Sequence, residues 1–401
     1  MRVFWLLTAA SAASMVGNTF LYLAIPWALL ETTHSPLIAV LGTAVRAAPF
    51  LVAPLLGPLL DQVDRRRLFS ASEVLQGASV AAVPLLLTYD QIACVFGALV
   101  VCGLANVVSN IAADYGLIPS IVPKERLDQA TSRFNAIMLV ARFVGPASAG
   151  LVIGAVGTTW ALYADAASFL LTALTALTLP KSSPEGPVSS LGHMLRDGIR
   201  YFRSRRDLQR LTLTLAVYNL GAGAIEPTLL TEGQHRWEWS ATALGLAISS
   251  GAIAAAAGSW LSPRRSVGTS GHAQITKWLA VSALGAVGLL MPEPLVVVAS
   301  FAVLSFGEGG VNAATIAYRQ REIPSELTGR VNTIIRTFVT GAVPVSALAL
   351  GATASLTGTE WTFTPAAAAC LAAVALWWAR HDVPPLAPTQ SDTNTTHEAV
   401  R

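Results

Sequence analysis

Residues 3–30, VFWLLTAASAASMVGNTFLYLAIPWALL, contain no charged side chain. As a helix rising about 1.5 Å per residue they reach about 42 Å, more than the ~30 Å of hydrocarbon in a bilayer. Arg2 and the small residues Ala10, Ser11 and Ala12 imitate a secretory signal. A signal's apolar region has only about 7–15 residues, so an uncleaved first span is expected here. The rest of the chain continues the theme. Only 12% of its 401 residues are charged, about half the roughly 25% of an average soluble domain. A soluble chain of this length needs polar surface for two or three domains. The formal charge of +3, from 26 cations and 23 anions, is too small and too dispersed for nucleic-acid binding. The composition predicts a polytopic protein whose partner is the lipid bilayer.

Charge-poor runs predict twelve spans. In the first half they are 3–30, 36–60, 68–89, 91–113, 134–156 and 159–180. In the second they are 211–231, 240–262, 275–292, 294–317, 333–356 and 361–380. With the N-terminus placed in the cytoplasm, 22 of the 26 cations fall inside and one, Arg236, outside; Arg46, Arg142 and Arg336 remain within spans. Cytoplasmic loops carry the excess of Lys and Arg, so both termini are expected to be cytoplasmic. A miscounted span would reverse this bias downstream.

Residues 181–210 form a polar interior stretch and divide six spans from six. The expected organisation is an N-terminal bundle (1–180), a cytoplasmic linker (181–210), a C-terminal bundle (211–381) and a disordered cytoplasmic tail (382–401). A weak repeat crosses the divide. Pro123-Lys124-Glu125 precedes Arg142 and Pro146, and Pro324-Ser325-Glu326 precedes Arg336 and Pro344, so that Pro146 and Pro344 lie 198 residues apart. Parallel six-span repeats suggest alternating access around a central site.

The segment Gly57-Pro58-Leu59-Leu60-Asp61-Gln62-Val63-Asp64-Arg65-Arg66-Arg67 resembles the loop motif of the major facilitator superfamily, Gly-x-x-x-Asp-Arg/Lys-x-Gly-Arg-Arg/Lys. Gly57, Asp61, Arg65 and Arg66 match, while Gln62 and Asp64 depart from it. The branch it resembles is that of drug:proton antiporters, which includes macrolide-efflux and enterobactin-exporter proteins. The resemblance runs from Ala24 to about Leu350. It implies the all-α major facilitator fold, twelve helices in two six-helix bundles. It also implies a conformational role for Gly57, Asp61 and Arg65–Arg67. Physically, a glycine at 57 permits close helix approach, and a carboxylate at Asp61 suits a helix N-terminus. In the fifth span, Arg142-Phe143-Val144-Gly145-Pro146-Ala147-Ser148-Ala149-Gly150 is similar to the antiporter signature ending Gly-Pro-x-x-Gly-Gly, with Ala149 in place of one glycine. Small residues allow close packing and Pro146 bends the helix. The resemblance thus assigns Gly145, Pro146 and Gly150 to a helix-bend motif and favours export over import. The second-half counterpart of the loop motif, Gly258-Ser259-Trp260-Leu261-Ser262-Pro263-Arg264-Arg265, has lost its acid.

No Gly-Lys-Ser/Thr for ATP occurs. The expected energy source is therefore the proton gradient, with no cofactor. Charges within spans are costly and are functional candidates by default. Arg46, Arg142 and Arg336 are the cations, and Asp165, Glu226 and Glu308 the carboxylates read as buried. Glu308 ranks first as proton carrier by depth, then Glu226, then Asp165. Asn18, Asn106, Asn110, Tyr218, Asn219 and Asn312 serve either to line a substrate cavity or to join helices by hydrogen bonds, the commoner use; of these, Asn18 and Asn312 are taken as substrate candidates. Cys94, Cys102 and Cys370 are read as packing residues. No histidine lies in a predicted span, so neither a histidine relay nor a metal site is expected.

The sequence therefore predicts a monomeric exporter of a small amphipathic molecule, such as an antibiotic, drug or siderophore, in a bacterial inner membrane. Rival readings are an importer or lysophospholipid flippase of the same fold, and a transport-inactive sensor. An embedded enzyme would need a polar catalytic cluster such as His-x-x-x-x-Asp or Gly-x-Ser-x-Gly. Neither occurs, so no enzymatic activity is expected.

Overall fold

The computed structural model describes residues 2–52, 64–114, 127–178, 191–264, 271–324, 327–357 and 361–379. Outside them lie Gly57 and Asp61, the 382–401 tail and part of the linker, and of Arg65 only the backbone is described. In the first half the chain forms α1 (Arg2–Thr33), α2 (Pro36–Ala47), α3 (Arg65–Thr88), α4 (Ile92–Asp114), α5 (Leu127–Val156) and α6 (Thr158–Leu177). A short 3-10 turn, Ala48–Leu51, extends α2. The linker contributes α7 (Leu191–Ser204). Then follow α8 (Arg206–Ala222), α9 (Ile225–His235), α10 (Ala241–Arg264), α11 (Gly271–Gly288), α12 (Pro294–Glu322), α13 (Thr328–Thr357) and α14 (Thr364–Trp378).

Eight of these helices are long and apolar enough to cross a membrane, so the chain is a multi-pass membrane protein. The other expected spans coincide with shorter or divided helices. The 36–60 run enters undescribed residues after the 3-10 turn, and the 275–292 and 361–380 runs become α11 and α14. The 211–231 run departs from expectation, because it breaks into α8 and α9 around Gly223–Ala224. Pro227 explains the position. Its ring clashes with the carbonyl four residues earlier and it has no N–H to donate, which puts the break at Gly223. The freed Ala224 N–H instead donates to Ser346 Oγ on α13 at 3.1 Å.

Helix starts follow local chemistry. Ser35 caps α2, with Pro36 in its first turn. Asp64 caps α3, accepting from the Arg66 N–H at 3.0 Å. The family-like motif therefore uses its second acid as the N-cap, a place where a carboxylate meets free N–H groups and the positive helix end. Gly157, at φ 88°, makes the tight turn between α5 and α6.

In the first half α3 packs between α4 and α6, and α1 lies against α2, α5 and α6. In the second, α12 packs between α10 and α11, and α14 lies against α8 and α11. The α10–α12 contact shows what the loop-motif glycine does in its second-half counterpart. A Cβ at Gly258 would fall 1.9 Å from the Phe306 carbonyl oxygen, so only glycine lets the backbones approach so closely.

Arginines gather at one end of the helices: Arg66, Arg67, Arg200, Arg203, Arg205, Arg210, Arg319, Arg321 and Arg330 all sit where α3, α8 and α13 begin or α7 and α12 end. Arg205 ties this end together. It pairs with Asp207 through Nε–Oδ1 at 2.9 Å and Nη2–Oδ2 at 2.7 Å, and with Glu322 Oε2 at 2.5 Å. Burial alone would push the Asp207 carboxyl up, but the Arg205 guanidinium outweighs it and holds it below its ordinary value. A depressed carboxylate stabilises the fold at pH values above about 4, and that contribution is lost as the pH falls through the folded value. Arg205→Ala is therefore expected to lower thermal stability in detergent at pH 7, by on the order of 1 kcal/mol for a partly exposed pair. At pH 3 the difference from wild type should shrink. Equal destabilisation at both pH values would show that packing, not the ion pair, is what Arg205 supplies.

Candidate functional site

The two halves meet at the end opposite the arginines. There α5 packs on α10, and α2 packs on α13 and α9, with α1 also against α9. The Ala147 N–H donates to Ser249 Oγ at 3.0 Å, Ser249 Oγ–H to the Phe143 carbonyl at 2.9 Å, and Thr242 Oγ1–H to the Gly150 carbonyl at 3.2 Å. Gly150 and Gly245 make the closest approach, each leaving room for no Cβ: one would lie 2.4 Å from the Ala241 and Pro146 carbonyl oxygens respectively. The helix-bend motif Gly145-Pro146…Gly150 is thus part of this seal. Gly145 packs instead on the Thr19 side chain of α1, within the first half.

Below the seal lies a cavity of about 720 Å³ lined from both halves by α1, α2, α5, α8, α9, α10, α12 and α13. Its volume is that of a site for a drug-sized ligand. Of the residues singled out from sequence, Asn18, Arg142, Glu226, Glu308 and Asn312 all line it. Arg142, Glu226 and Glu308 lie close enough to interact electrostatically. Glu226 is in the first turn of α9, immediately after the break. Around these charges the walls are apolar and aromatic, with Met15, Tyr22, Leu139, Phe143, Trp260 and Phe301. Three of the prolines also serve this space. Pro26, Pro146 and Pro227 leave the carbonyls of Tyr22, Arg142 and Gly223 without their helical donor, and all three of those residues line the cavity.

Other candidates lie elsewhere. Asp165 is fully buried, at 0% exposure, against Gly17 of α1, and does not line the cavity. Arg46 sits behind the cavity wall. Its Nη2 donates to Asn18 Oδ1 at 2.6 Å, and its guanidinium lies 5.4 Å from the Tyr22 ring centroid. Arg336 is exposed on α13 and is not among the lining residues, so the repeat relation between Arg142 and Arg336 does not extend to a shared site. Arg66 reaches the end of α6, donating to the Leu177 carbonyl at 3.1 Å, and Arg67 lies 3.9 Å from Asp64.

Asn219 lines the cavity, but its amide donates to the Leu215 carbonyl of its own helix at 3.0 Å, and Tyr218 is bonded to Ser282 at 2.6 Å. Asn106 instead donates to Gln76 Oε1 of α3 at 3.0 Å, and Asn110 donates to Asn106 Oδ1 of its own helix at 3.1 Å. The sequence reading missed two buried carboxylates. Glu73, at 4% exposure, lies on α3, and Glu232, at 1%, lies near the end of α9. The signal for Glu73 was present: Glu73 and Gln76 are a polar pair at helical i, i+3 spacing inside a predicted span. Glu232 fell one residue beyond the predicted boundary of its span.

The sequence model described as the Major Facilitator Superfamily matches residues 7–340. The multidrug efflux pump Tap of Mycobacterium tuberculosis (strain ATCC 25618 / H37Rv) is 28% identical over 386 residues, covering 90% of this chain and 88% of that protein. Macrolide efflux protein A of Streptococcus pyogenes is 23% identical over 228 residues, 54% of this chain and 55% of that protein. Among solved structures, a bacterial homologue of the iron transporter ferroportin in its inward-facing state superposes with a TM-score of 0.76 at 17% identity, over 94% of this chain and 98% of that one. The outward-facing state of such a homologue gives 0.62 at 18% identity, over 95% and 100%.

Proposed function

The chain belongs to the Major Facilitator Superfamily, a family of transporters rather than enzymes, and on that premise we propose that it is a proton-coupled exporter of small amphipathic molecules. The observation that carries this reading is the cavity between the halves, in which two carboxylates and one arginine stand among aromatic walls. Buried carboxylates can exchange a proton for a cationic or polar guest as access alternates. The aromatic and apolar lining suits an amphipathic molecule of the antibiotic or drug class, in keeping with relatives named as multidrug and macrolide efflux proteins.

In this reading the arginine-bearing end faces the cytoplasm of a bacterial inner membrane, following the positive-inside rule. Both termini and the linker lie on that side, and twelve spans divide as two bundles about residues 181–210. The sealed Gly150–Gly245 end then faces outward and the cavity is in its inward-accessible state. The better superposition on an inward-facing than an outward-facing structure supports that orientation. The protein acts as a monomer and draws on the proton gradient without a cofactor. Gly57, Asp61 and Arg65–Arg67 steady one state of the cycle, and the Gly145-Pro146-Gly150 bend opens and closes the seal.

The test is drug-dependent proton movement in proteoliposomes, using a panel of cationic and neutral antibiotics and siderophores. At least one compound is expected to drive protons in the opposite direction to itself. If compounds are transported with protons moving in the same direction, the protein is an importer. If none moves protons, proton coupling is wrong.

A further inference from the structure

The chain between the halves carries six arginines from Arg196 to Arg210, and the structure sorts them into two sets. Arg205 and Arg210 turn inward. Arg205 is held by Asp207 and Glu322, and Arg210 Nη2 donates to the Leu376 carbonyl at 2.9 Å and to that of Trp377, at the end of α14. Arg196, Arg200, Arg203 and Arg206 turn away from the protein. All four are exposed, and none has an ion-pair partner among the described residues.

The packing of α7 fixes that direction. Arg196, Arg200 and Arg203 recur at spacings of four and three, so they share one face of the helix. The opposite face is occupied. Tyr201 and Phe202 pack on the cluster of Ile323, Val331 and Ile335, and the Tyr201 hydroxyl donates to the Glu322 carbonyl at 2.8 Å. Gly198 lies so close to the start of α13 that a Cβ there would fall 3.0 Å from the Arg330 Cβ. The helix cannot roll its arginines inward without giving up these contacts. Among the arginines Ile199 is 42% exposed, three residues after Arg196 and one before Arg200. The basic face continues into α8, where Arg206 lies seven residues, two turns, before the exposed Leu213 and on the same side. In the seventh span proposed above Leu213 faces lipid, which puts Arg206 at the edge of the hydrocarbon.

Membrane topology asks only that cations stay on one side of the bilayer. It does not require them to share a face, to lack partners or to flank an exposed isoleucine. An apolar side chain ringed by guanidiniums matches a surface with phosphates at one level and hydrocarbon just beneath it. A soluble polyanion would match the charges but leave Ile199 in water. We propose that the free face of α7, continued by Arg206, is a docking surface for anionic phospholipid in the leaflet on the arginine-bearing side. Arg196, Arg200, Arg203 and Arg206 meet the headgroup phosphates, and Ile199 enters the acyl boundary. Because the other face of α7 is fixed to the ends of α12 and α13, the bound lipid holds the linker and the second half together at the membrane surface. Juxtamembrane cations gain about fivefold each from an anionic leaflet, so the four arginines together distinguish it strongly from a neutral one.

This inference rests on the membrane disposition proposed above but not on proton coupling. An environment-sensitive fluorophore on Ile199→Cys, with the exposed Cys94 replaced by serine, reports whether that position enters lipid; Cys102 and Cys370 are buried. In nanodiscs of phosphatidylcholine and phosphatidylglycerol in equal parts, its emission should lie to the blue of that in phosphatidylcholine alone. The shift should shrink as salt is raised. Equal emission in the two bilayers overturns the proposal. Adding Arg196→Gln, Arg200→Gln and Arg203→Gln together should abolish the shift, whereas lysine at the same three positions should keep it. Thermal unfolding in detergent is a second readout, and it uses the wild type in case the glutamine variant does not fold. Short-chain phosphatidylglycerol should raise the melting temperature by a few degrees more than short-chain phosphatidylcholine does. If inorganic phosphate or an oligonucleotide does as well as phosphatidylglycerol, the proposal is overturned, in favour of a simple anion site or of a soluble polyanion respectively. Neither readout involves a drug or a proton gradient. If the lipid preference holds while no compound moves protons, proton coupling fails and the docking surface stands.

Discussion

Glu308→Gln is expected to abolish uphill drug efflux while leaving drug–drug exchange in place. Glu308 lines the central cavity and interacts with Arg142 and with Glu226, the other carboxylate there. Glutamine keeps the shape and the ability to accept a hydrogen bond but can neither bind nor release a proton. The loss should be thermodynamic as well as kinetic. One elementary charge moved through 100 mV carries about 2.3 kcal/mol, enough to hold a concentration ratio of about 50-fold. Without the exchanged proton that ratio falls toward one. The measurement is the steady-state drug gradient in energised vesicles, wild type against variant, with exchange measured separately to show that the cavity still binds. An unaltered gradient in Glu308→Gln would remove Glu308 from the coupling step and shift attention to Glu226. Arg142→Met provides the complement. It leaves two carboxylates without a nearby cation and is expected to weaken coupling too, although Arg142 carries no exchangeable proton at physiological pH.

How far this was legible in sequence depends on the kind of information each residue carries. The eight long helices follow from charge-poor runs because bilayer thickness sets a minimum length for an apolar span. The cations sort by end because membrane insertion reads them locally. Glu226, Glu308 and Arg142 could be picked out because a charge inside an apolar run is rare whatever its partners. Which charges converge is a property of helix rotation and packing, which no single segment records. Asp165 and Glu308 look alike in sequence, yet one is sealed against Gly17 and the other opens on the cavity. Asn106 and Asn110 were candidates for the cavity, yet Asn106 bonds Gln76 of α3 and Asn110 bonds Asn106. The divided seventh segment was signalled by Pro227, but proline alone does not distinguish a bend such as that at Pro146 from a break. Gly223 and the Ser346 hydroxyl, supplied from another helix, make the difference.

Gly245→Val is expected to shift the protein out of its sealed conformation. A Cβ at Gly245 would lie 2.4 Å from the Pro146 carbonyl oxygen and 3.0 Å from the Gly150 Cα, and backbone atoms cannot turn aside as a flexible side chain can. Valine adds two further methyl groups to that position, so α5 and α10 must separate where they close the cavity. Overpacking of this kind costs about 1–3 kcal/mol. If the separated arrangement relieves it, a value near 2 kcal/mol changes the ratio of the two states by about 30-fold. Transport should fall, because a carrier held in one state cannot complete its cycle. The state itself can be read from a cysteine at Asn312, a cavity-lining position, in a background where the exposed Cys94 is replaced by serine. Reaction of that cysteine with a membrane-impermeant thiol reagent should rise from the sealed side and fall from the arginine-bearing side once Gly245→Val is added. Gly97→Ala, on α4, is the internal control. Its Cβ would meet nothing within 4 Å. It should leave both reactivities near those of the parent. If Gly245→Val behaves as Gly97→Ala does, the glycine contact is ordinary packing. The α5 bend motif would then have no part in opening this end of the cavity.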